Sequence, residues 1–149
     1  MAQATFAAGC FWGVQANFDL LHGVTKTVVG YTGGRMREPS YEDVLTDTTG
    51  HAEAVHITYN PDALSYTQLL IAFFEMHNPS TVAGEHYKYR STIFYHNQEQ
   101  QEIALDFIQE LKEAKLYELS IKTTVVKADI FYKAEAYHQN YYKKQGISH

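Results

Sequence analysis

Cysteine is almost absent from this sequence, which has one, Cys10, among 149 residues. A single thiol cannot form an internal disulfide, so a small scaffold held together by disulfides is excluded. Chemistry at Cys10 that ends in a disulfide must therefore use a second thiol from another molecule.

Basic residues are in the minority, with 12 Lys and Arg against 17 Asp and Glu and a net charge of -5. This balance argues against a surface that follows phosphates, so nucleic acid is not expected as a partner. No run approaches the roughly 18 apolar residues of a membrane span, and residues 1–9 lack the basic start and long apolar stretch of a secretory signal. We therefore expect a cytoplasmic protein that does not act at a membrane.

Apolar residues make up 45% of the chain, which is enough to bury the core of one domain over residues 1–149. Their pattern predicts strands at residues 5–8, 24–31, 51–59, 89–95, 121–126 and 129–132. Strands and helices are intermixed without strict alternation. We therefore expect a two-layer α+β domain with a mixed sheet.

Helical spacing begins at Cys10, directly after the break at Gly9. It returns after Ser65 and after Asn97, each of which has Gln three residues later in a capping pattern. A short terminal helix is expected at residues 135–144. Two stretches contain Gly and Pro but show no clear period, and they are predicted to be loops. They are residues 33–40 and residues 78–88. Tyr41 is placed in the same loop region as the first.

Cys10 thus lies where a predicted strand passes into a helix. Unpaired backbone N–H groups and the positive end of the helix dipole favour an anion there, so we expect a lowered thiol pKa and a nucleophilic thiolate. Phe11 and Trp12 follow directly and can wall a pocket for a small apolar group beside the reacting atom, such as an S-methyl group. The alternatives are an inert buried cysteine and an aromatic pair that only packs.

Glu53 shares one face of the predicted strand 51–59 with Val55 and Ile57. Burial among such neighbours raises a carboxyl pKa toward the range of a general acid, whereas a surface carboxylate at the strand end is the alternative. A metal site is not expected, because none of the eight histidines forms a pair four residues apart and the single cysteine excludes the usual thiolate sets.

Six motifs, taken together, resemble the peptide methionine-S-sulfoxide reductase family, type A, over nearly the whole chain. In chain order they are Gly9-Cys10-Phe11-Trp12-Gly13, Gly30-Tyr31-Thr32-Gly33-Gly34, Pro39-Ser40-Tyr41, Gly50-His51-Ala52-Glu53, Tyr89-Arg90-Ser91 and Ala134-Glu135-Ala136-Tyr137-His138-Gln139. The resemblance implies a two-layer α+β sandwich around a mixed sheet with a ferredoxin-like core. It also implies repair of oxidised methionine.

The resemblance carries roles to matching positions. It implies that Cys10 is the nucleophile, that Phe11 and Trp12 cradle the methyl group, and that Glu53 is the acid. Tyr41 and Tyr89 match the tyrosines that bind the sulfoxide. Tyr137 lies in the last motif and is expected near the substrate.

The chain departs from the family pattern in the loop of residues 78–88, which is shorter and lacks the usual acidic Asp. Glu85 or His86 could take its place on the polar side of the pocket, and a solvated loop is the alternative. The further cysteines with which many members resolve the oxidised nucleophile are absent.

These observations predict an enzyme that reduces methionine-S-sulfoxide, free or in proteins, through a Cys10 sulfenic acid. No bound cofactor is expected, and an external thiol would recycle Cys10, with glutathione and glutaredoxin ranked before thioredoxin. Two other readings stay open, a module that binds methionine sulfoxide without turnover and a thiol-based redox sensor.

Overall fold

The structure, a computed structural model, describes residues 1–80, 87–117 and 120–146. Its elements in chain order are β1 (Ala2–Ala8), α1 (Phe11–Asp19), β2 (Val24–Thr32), α2 (Tyr41–Leu45), β3 (Ala52–Tyr59), α3 (Tyr66–Glu75), β4 (Ser91–Tyr95), α4 (Gln98–Ala114), β5 (Thr124–Lys127), β6 (Tyr132–Lys133), a 3-10 turn (Ala136–His138) and α5 (Tyr141–Lys144). Within these residues, no helix has the length and apolar character needed to cross a membrane.

The strands of the described residues form one sheet of six in the order β5-β4-β1-β3-β2-β6. β1, β2, β3 and β4 pair antiparallel, whereas β5 runs parallel to β4. With α1 between β1 and β2 and α3 between β3 and β4, the four central strands make the split βαβ arrangement of a ferredoxin-like core. The predicted α+β fold with a mixed sheet is confirmed.

The main core lies where α1, α3 and α4 cover one face of the sheet. Phe6 of β1 lies at its centre, with its ring centroid 5.4 Å from that of Phe18 in α1 and 5.2 Å from that of Phe73 in α3. Contacts of this kind tie both helices to the central strand. They fix the position of α1, whose first turn carries the candidate nucleophile.

The opposite face of the sheet is covered by an irregular segment, residues 128–131. Phe131 packs there against a small apolar cluster that comprises Ala7, Ala52, Ala54 and Phe94. The prediction of a strand at residues 129–132 is therefore wrong for most of its length, because a segment that crosses a sheet face cannot pair at the sheet edge. Pairing with β2 is confined to Tyr132–Lys133.

Side chains at the helix starts confirm two of the predicted caps. The Ser65 hydroxyl accepts a hydrogen bond from Gln68 N, and Gln68 Oε1 accepts one from Ser65 N. Asn97 caps α4 by accepting from Gln100 N, but the Gln100 side chain accepts from the backbone of His96 instead of closing a reciprocal box.

Tyr41 is the first residue of α2, although the sequence pattern had placed it in a loop region. Ser40 and Asp43 form a reciprocal capping box of the same kind as that at Ser65. The pair was readable in the sequence, but the neighbouring Pro and Gly residues obscured it. The short helix brings Tyr41 to one fixed place beside the start of α1.

The predicted helix at residues 135–144 is divided into the 3-10 turn and α5. Gln139 leaves the helical path because its side chain accepts from Val29 N at 2.9 Å and donates to Val29 O at 2.9 Å. Asn140 then adopts a left-handed φ of 55° and donates its N–H to Gln15 of α1. These long-range contacts with β2 and α1 outweigh the local helical preference.

Candidate active site

Cys10 occupies the N-cap position of α1, immediately after Gly9. Gly9 has a φ of 104°, in the region that glycine enters without steric cost, and this lets the chain turn sharply from β1 into the helix. Cys10 O accepts the first helical hydrogen bond, from Val14 N, while its side chain makes no capping bond. Cys10 is exposed, so its thiol is accessible.

The pKa of the Cys10 thiol is raised, which contradicts the expected lowering. Desolvation of the thiol is the main cause, and the Glu53 carboxylate raises the pKa further. The backbone N–H groups of Trp12 and Gly13 do act in the expected direction, but they do not outweigh the desolvation. The helix start therefore supplies the predicted donors, and yet the resting side chain is a thiol at neutral pH.

Glu53 is buried in β3, opposite Tyr31 of β2, with 1% of its surface exposed. Its Oε1 accepts a hydrogen bond of 3.2 Å from Phe11 N, and its buried Oε2 has no hydrogen-bond partner among the described residues. Burial raises the pKa of Glu53 to about 7, against smaller lowering effects from Phe11 N–H and from Lys88. The carboxyl group can thus hold a proton at neutral pH and donate it.

Tyr41 and Tyr89 reach the same place from two different segments. Burial raises the pKa of both hydroxyls, and the charges of Glu53 and Cys10 raise both further. The Tyr41 ring also stacks on Phe11, with centroids 6.4 Å apart. Both tyrosines therefore stay protonated and can act as hydrogen-bond donors beside the thiol and the carboxyl group.

Phe11 and Trp12 point to different environments, as expected of adjacent residues on a helix. Phe11 is 1% exposed and packs in the core near Tyr31 and Tyr41. Trp12 is half-buried and stacks on Tyr141 of α5, with ring centroids 3.9 Å apart and planes 9° from parallel. Trp12 therefore stays partly exposed near the start of α1, whereas Phe11 is buried in the core.

His138 joins these aromatic residues, and the sequence analysis did not assign it a role. Its Nδ1 accepts a hydrogen bond of 2.9 Å from Trp12 Nε1, and its ring lies 4.2 Å from that of Tyr41. It is fully buried, burial lowers its pKa, and its Nε2 has no hydrogen-bond partner in the part of the chain that the structure describes. A neutral His138 thus orients the indole. Its place in the last motif was the available signal.

Glu135 is a second residue that the sequence analysis left without a role. Its Oε1 accepts from Tyr31 OH at 2.8 Å, and its Oε2 accepts from Tyr41 N at 2.9 Å. Burial raises the pKa of Glu135, but these hydrogen bonds and the nearby His138 hold it below its ordinary value. The carboxylate therefore ties α2 to β2 and fixes Tyr41.

Of the other three predicted site residues, the structure describes Tyr137 alone. Tyr137 is 54% exposed, and its ring lies 4.1 Å from that of His138. Glu85 and His86 fall outside the described residues. Among the predicted residues, the structure thus brings Glu53 close to Cys10 and leaves Tyr137 exposed.

The residues gathered near Cys10 are of two chemical kinds. The first comprises the Cys10 thiol, the Glu53 carboxyl and the Tyr41 and Tyr89 hydroxyls, which are coupled electrostatically. The second is the indole of Trp12, the residue two positions after Cys10. Such a set can offer hydrogen-bond donors to a polarised oxygen and an aromatic contact to a small apolar group, with a thiol nearby.

Comparisons with known proteins agree over the whole chain. A family profile described as "Peptide methionine sulfoxide reductase" matches residues 2–148. A protein of Acidobacterium capsulatum named "Peptide methionine sulfoxide reductase MsrA" is 50% identical over 152 residues, which cover 99% of this chain and 97% of that protein.

Solved structures agree as well. The reduced form of Mxr1 from Saccharomyces cerevisiae has a TM-score of 0.88 at 28% identity, and the match covers 99% of this chain and 87% of that one. The structure of Mxr1 in complex with Trx2 has the same fold, with a TM-score of 0.68 at 24% identity over 94% of this chain and 84% of that one.

Proposed function

The chain belongs to the peptide methionine sulfoxide reductase family, and on that premise we propose that Cys10 carries out the reduction of methionine-S-sulfoxide, free or in proteins. The observation that carries this proposal is the buried Glu53, whose Oε2 has no partner within residues 1–80, 87–117 and 120–146. Its raised pKa of about 7 makes it a proton donor beside an accessible thiol. Methionine sulfoxide needs both a sulfur nucleophile and a proton for its departing oxygen.

In the proposed reaction, the Cys10 thiolate attacks the sulfoxide sulfur. Glu53 delivers a proton to the oxygen. The bond between the two sulfurs and the S–O bond of the substrate then break as the hydroxyl passes to the Cys10 sulfur, which gives methionine and a Cys10 sulfenic acid. The sulfoxide sulfur gains two electrons and the Cys10 sulfur loses two. Tyr41 and Tyr89 donate hydrogen bonds to the oxygen as its negative charge grows.

The raised pKa of Cys10 gives Glu53 a second part in this reaction. A neutral Glu53 does not repel the thiolate, whereas an ionised one does. The protonated carboxyl group thus favours formation of the thiolate as well as departure of the oxygen. The N–H groups of Trp12 and Gly13 stabilise the same thiolate at the helix start.

Substrate binding divides between apolar and polar contacts. The indole of Trp12, with Phe11 beneath, receives the methyl group, and Tyr137 extends this surface toward solvent. We assign Glu85 and His86 to the polar side only because they lie where the family carries its acid. Replacing both by Ala should raise KM, and unchanged kinetic constants would remove them from the site.

Recycling needs a thiol from outside the chain, because Cys10 is its one cysteine. Glutathione would attack the sulfenic acid and release water, and a glutaredoxin would then reduce the mixed disulfide by exchange. Thioredoxin is the other candidate reductant. It gains support from the Mxr1 complex with Trx2 and from the exposure of Cys10.

The decisive test is a stereospecific assay with racemic methionine sulfoxide and dithiothreitol. One epimer enters a pocket whose methyl and oxygen sites are fixed, so the S form should be consumed and the R form should remain. Cys10→Ser should abolish turnover. Equal consumption of both epimers, or turnover by the Ser variant, would overturn the proposal.

The two other readings of the sequence explain less of the site. A binding module without turnover does not need a proton donor beside an accessible thiol. A redox sensor does not need the indole and the two tyrosines. Family membership also favours the enzyme over both.

A further inference from the structure

Asp47 and Lys88 form a close pair at the edge of the site, and neither has a role in the reaction described above. Lys88 Nζ lies 2.9 Å from Asp47 Oδ2, and Lys88 N donates to Asp47 Oδ1 at 2.9 Å. The side chain of Lys88 is 13% exposed and that of Asp47 is 36% exposed. The pair is thus better shielded, and anchored by more contacts, than an ordinary surface ion pair.

The backbone of Asp47 indicates that this pair is held under constraint. Its φ is 59°, in the left-handed region that residues other than glycine seldom occupy. The two hydrogen bonds from Lys88 stabilise that conformation. The link between the end of α2 and residue 88 is therefore specified by both side chains.

Lys88 connects this link directly to the site. Its carbonyl oxygen accepts a hydrogen bond of 2.9 Å from Glu53 N. Its Nζ lies 5.0 Å from the centroid of the Tyr89 ring and 5.2 Å from that of Tyr87, both within range of cation–π attraction. One side chain thus contacts the ring of one site residue while its backbone holds another.

We propose that Asp47 and Lys88 act as a positioning pair for the reaction. The pair holds the Tyr89 ring in place and sets the net charge beside Glu53. The inference rests on the proposed function, in which Glu53 delivers the proton and Tyr89 binds the oxygen. Neither Asp47 nor Lys88 touches the reacting atoms in this scheme.

Near neutral pH, the charges of Asp47 and Lys88 are the ones that we expect to control the pKa of Glu53. Four other titratable groups that couple to Glu53 have raised pKa values and stay uncharged there, and they are Cys10, Tyr31, Tyr41 and Tyr89. Lys88 lowers the pKa of Glu53, against the larger effect of burial. Burial raises the pKa of Asp47, but Lys88 holds it below its ordinary value, so the carboxylate is charged and offsets part of the Lys88 charge.

The two members of the pair should therefore act on Glu53 in opposite directions. Lys88→Gln removes the cation, so the pKa of Glu53 should rise by about half a unit, the size expected for one charge near a protein surface. Asp47→Asn keeps an oxygen for Lys88 N but leaves the cation uncompensated, so the pKa of Glu53 should fall. A purely structural role would not produce opposite shifts.

The experiment is an infrared pH titration of the protonated carboxyl band of Glu53, assigned by its absence in Glu53→Gln. Lys88→Gln and Asp47→Asn are compared with Lys88→Arg, which keeps the charge, and with Lys112→Gln, which removes a charge from the exposed side of α4. The midpoint should rise in Lys88→Gln, fall in Asp47→Asn and stay unchanged in Lys88→Arg and Lys112→Gln. Thermal unfolding of each variant, followed by circular dichroism, establishes that it is folded.

The kinetics of the same variants separate this inference from the proposed function. If Glu53 is the acid, the alkaline limb of kcat/KM, where Glu53 loses its proton, follows each infrared midpoint. Lys88→Gln also raises KM because Tyr89 loses its support. Infrared midpoints that do not change, or that shift in the same direction, in folded Lys88→Gln and Asp47→Asn would overturn the proposed role of the pair. Opposite midpoint shifts without any response of the kinetic limb would leave the pair standing and remove Glu53 as the acid.

Discussion

The Oε1 of Glu53 accepts a hydrogen bond of 3.2 Å from the backbone N–H of Phe11, the residue that follows Cys10. This bond joins the middle of the sheet to the first turn of α1. It holds the carboxyl group near the thiol and leaves Oε2 without a hydrogen-bond partner among the residues that the structure describes. One contact between β3 and α1 therefore positions Glu53 and Cys10, the proposed proton donor and the proposed nucleophile.

Glu53→Gln should lower kcat by roughly 10²-fold, because the amide keeps the hydrogen bonds but cannot deliver a proton. KM should change little. Steady-state rates with methionine-S-sulfoxide between pH 6 and 8 provide the measurement. A variant with the full rate over this range would move the role of acid to Tyr41 or Tyr89.

The same substitution should change how stability depends on pH. The folded protein keeps the Glu53 proton up to about pH 7, whereas the unfolded chain loses it near the ordinary value of 4.5. Protons therefore favour the folded state, and the free energy of unfolding should fall by about 3 kcal/mol as the pH rises through this window.

Urea unfolding at several pH values tests this loss. In Glu53→Gln the fall between pH 4.5 and pH 7 should be smaller by that amount, because Gln does not titrate. Asp62→Asn, an exposed carboxyl on the turn after β3, serves as the control. Parallel stability curves for wild type and Glu53→Gln would show that the buried carboxyl does not retain its proton.

His138→Phe should raise KM by about fivefold, the factor that corresponds to one lost hydrogen bond of about 1 kcal/mol. Phe fills the same space between the rings but cannot accept from Trp12 Nε1, so the indole loses its fixed orientation. The fluorescence of Trp12, the one tryptophan, reports the change directly. An unchanged KM with altered fluorescence would show that the indole orientation does not govern binding.

Intact-mass measurement after one turnover without reductant should find one added oxygen, because the Cys10 sulfenic acid has no second thiol in the chain with which to condense. Addition of glutathione should then replace that oxygen by a glutathione adduct. Methionine formation with an unmodified mass and no dimer would show that Cys10 is not the atom oxidised.

Local sequence patterns determined much of this protein. Gly9 before Cys10, the cap at Ser65 and the strand periods predicted a cysteine at a helix start and the main elements of the sheet. These features depend on backbone preferences and on hydrophobic spacing, which act within a few residues. The motif resemblance extended this reading to the site residues.

Long-range contacts decided the rest. The pKa of Cys10 is raised because burial desolvates the thiol and because Glu53 of β3 lies nearby, effects that the helix start alone could not indicate. The break between the 3-10 turn and α5 follows from the bonds of Gln139 to β2.

The link from Asp47 to Lys88 spans 41 positions of sequence, and no local pattern points to it. Desolvation and pairing between distant residues depend on which surfaces the folded chain brings together. The sequence by itself therefore determined the type of groups in the site and their local geometry. Only the tertiary structure decided their charge states and their partners.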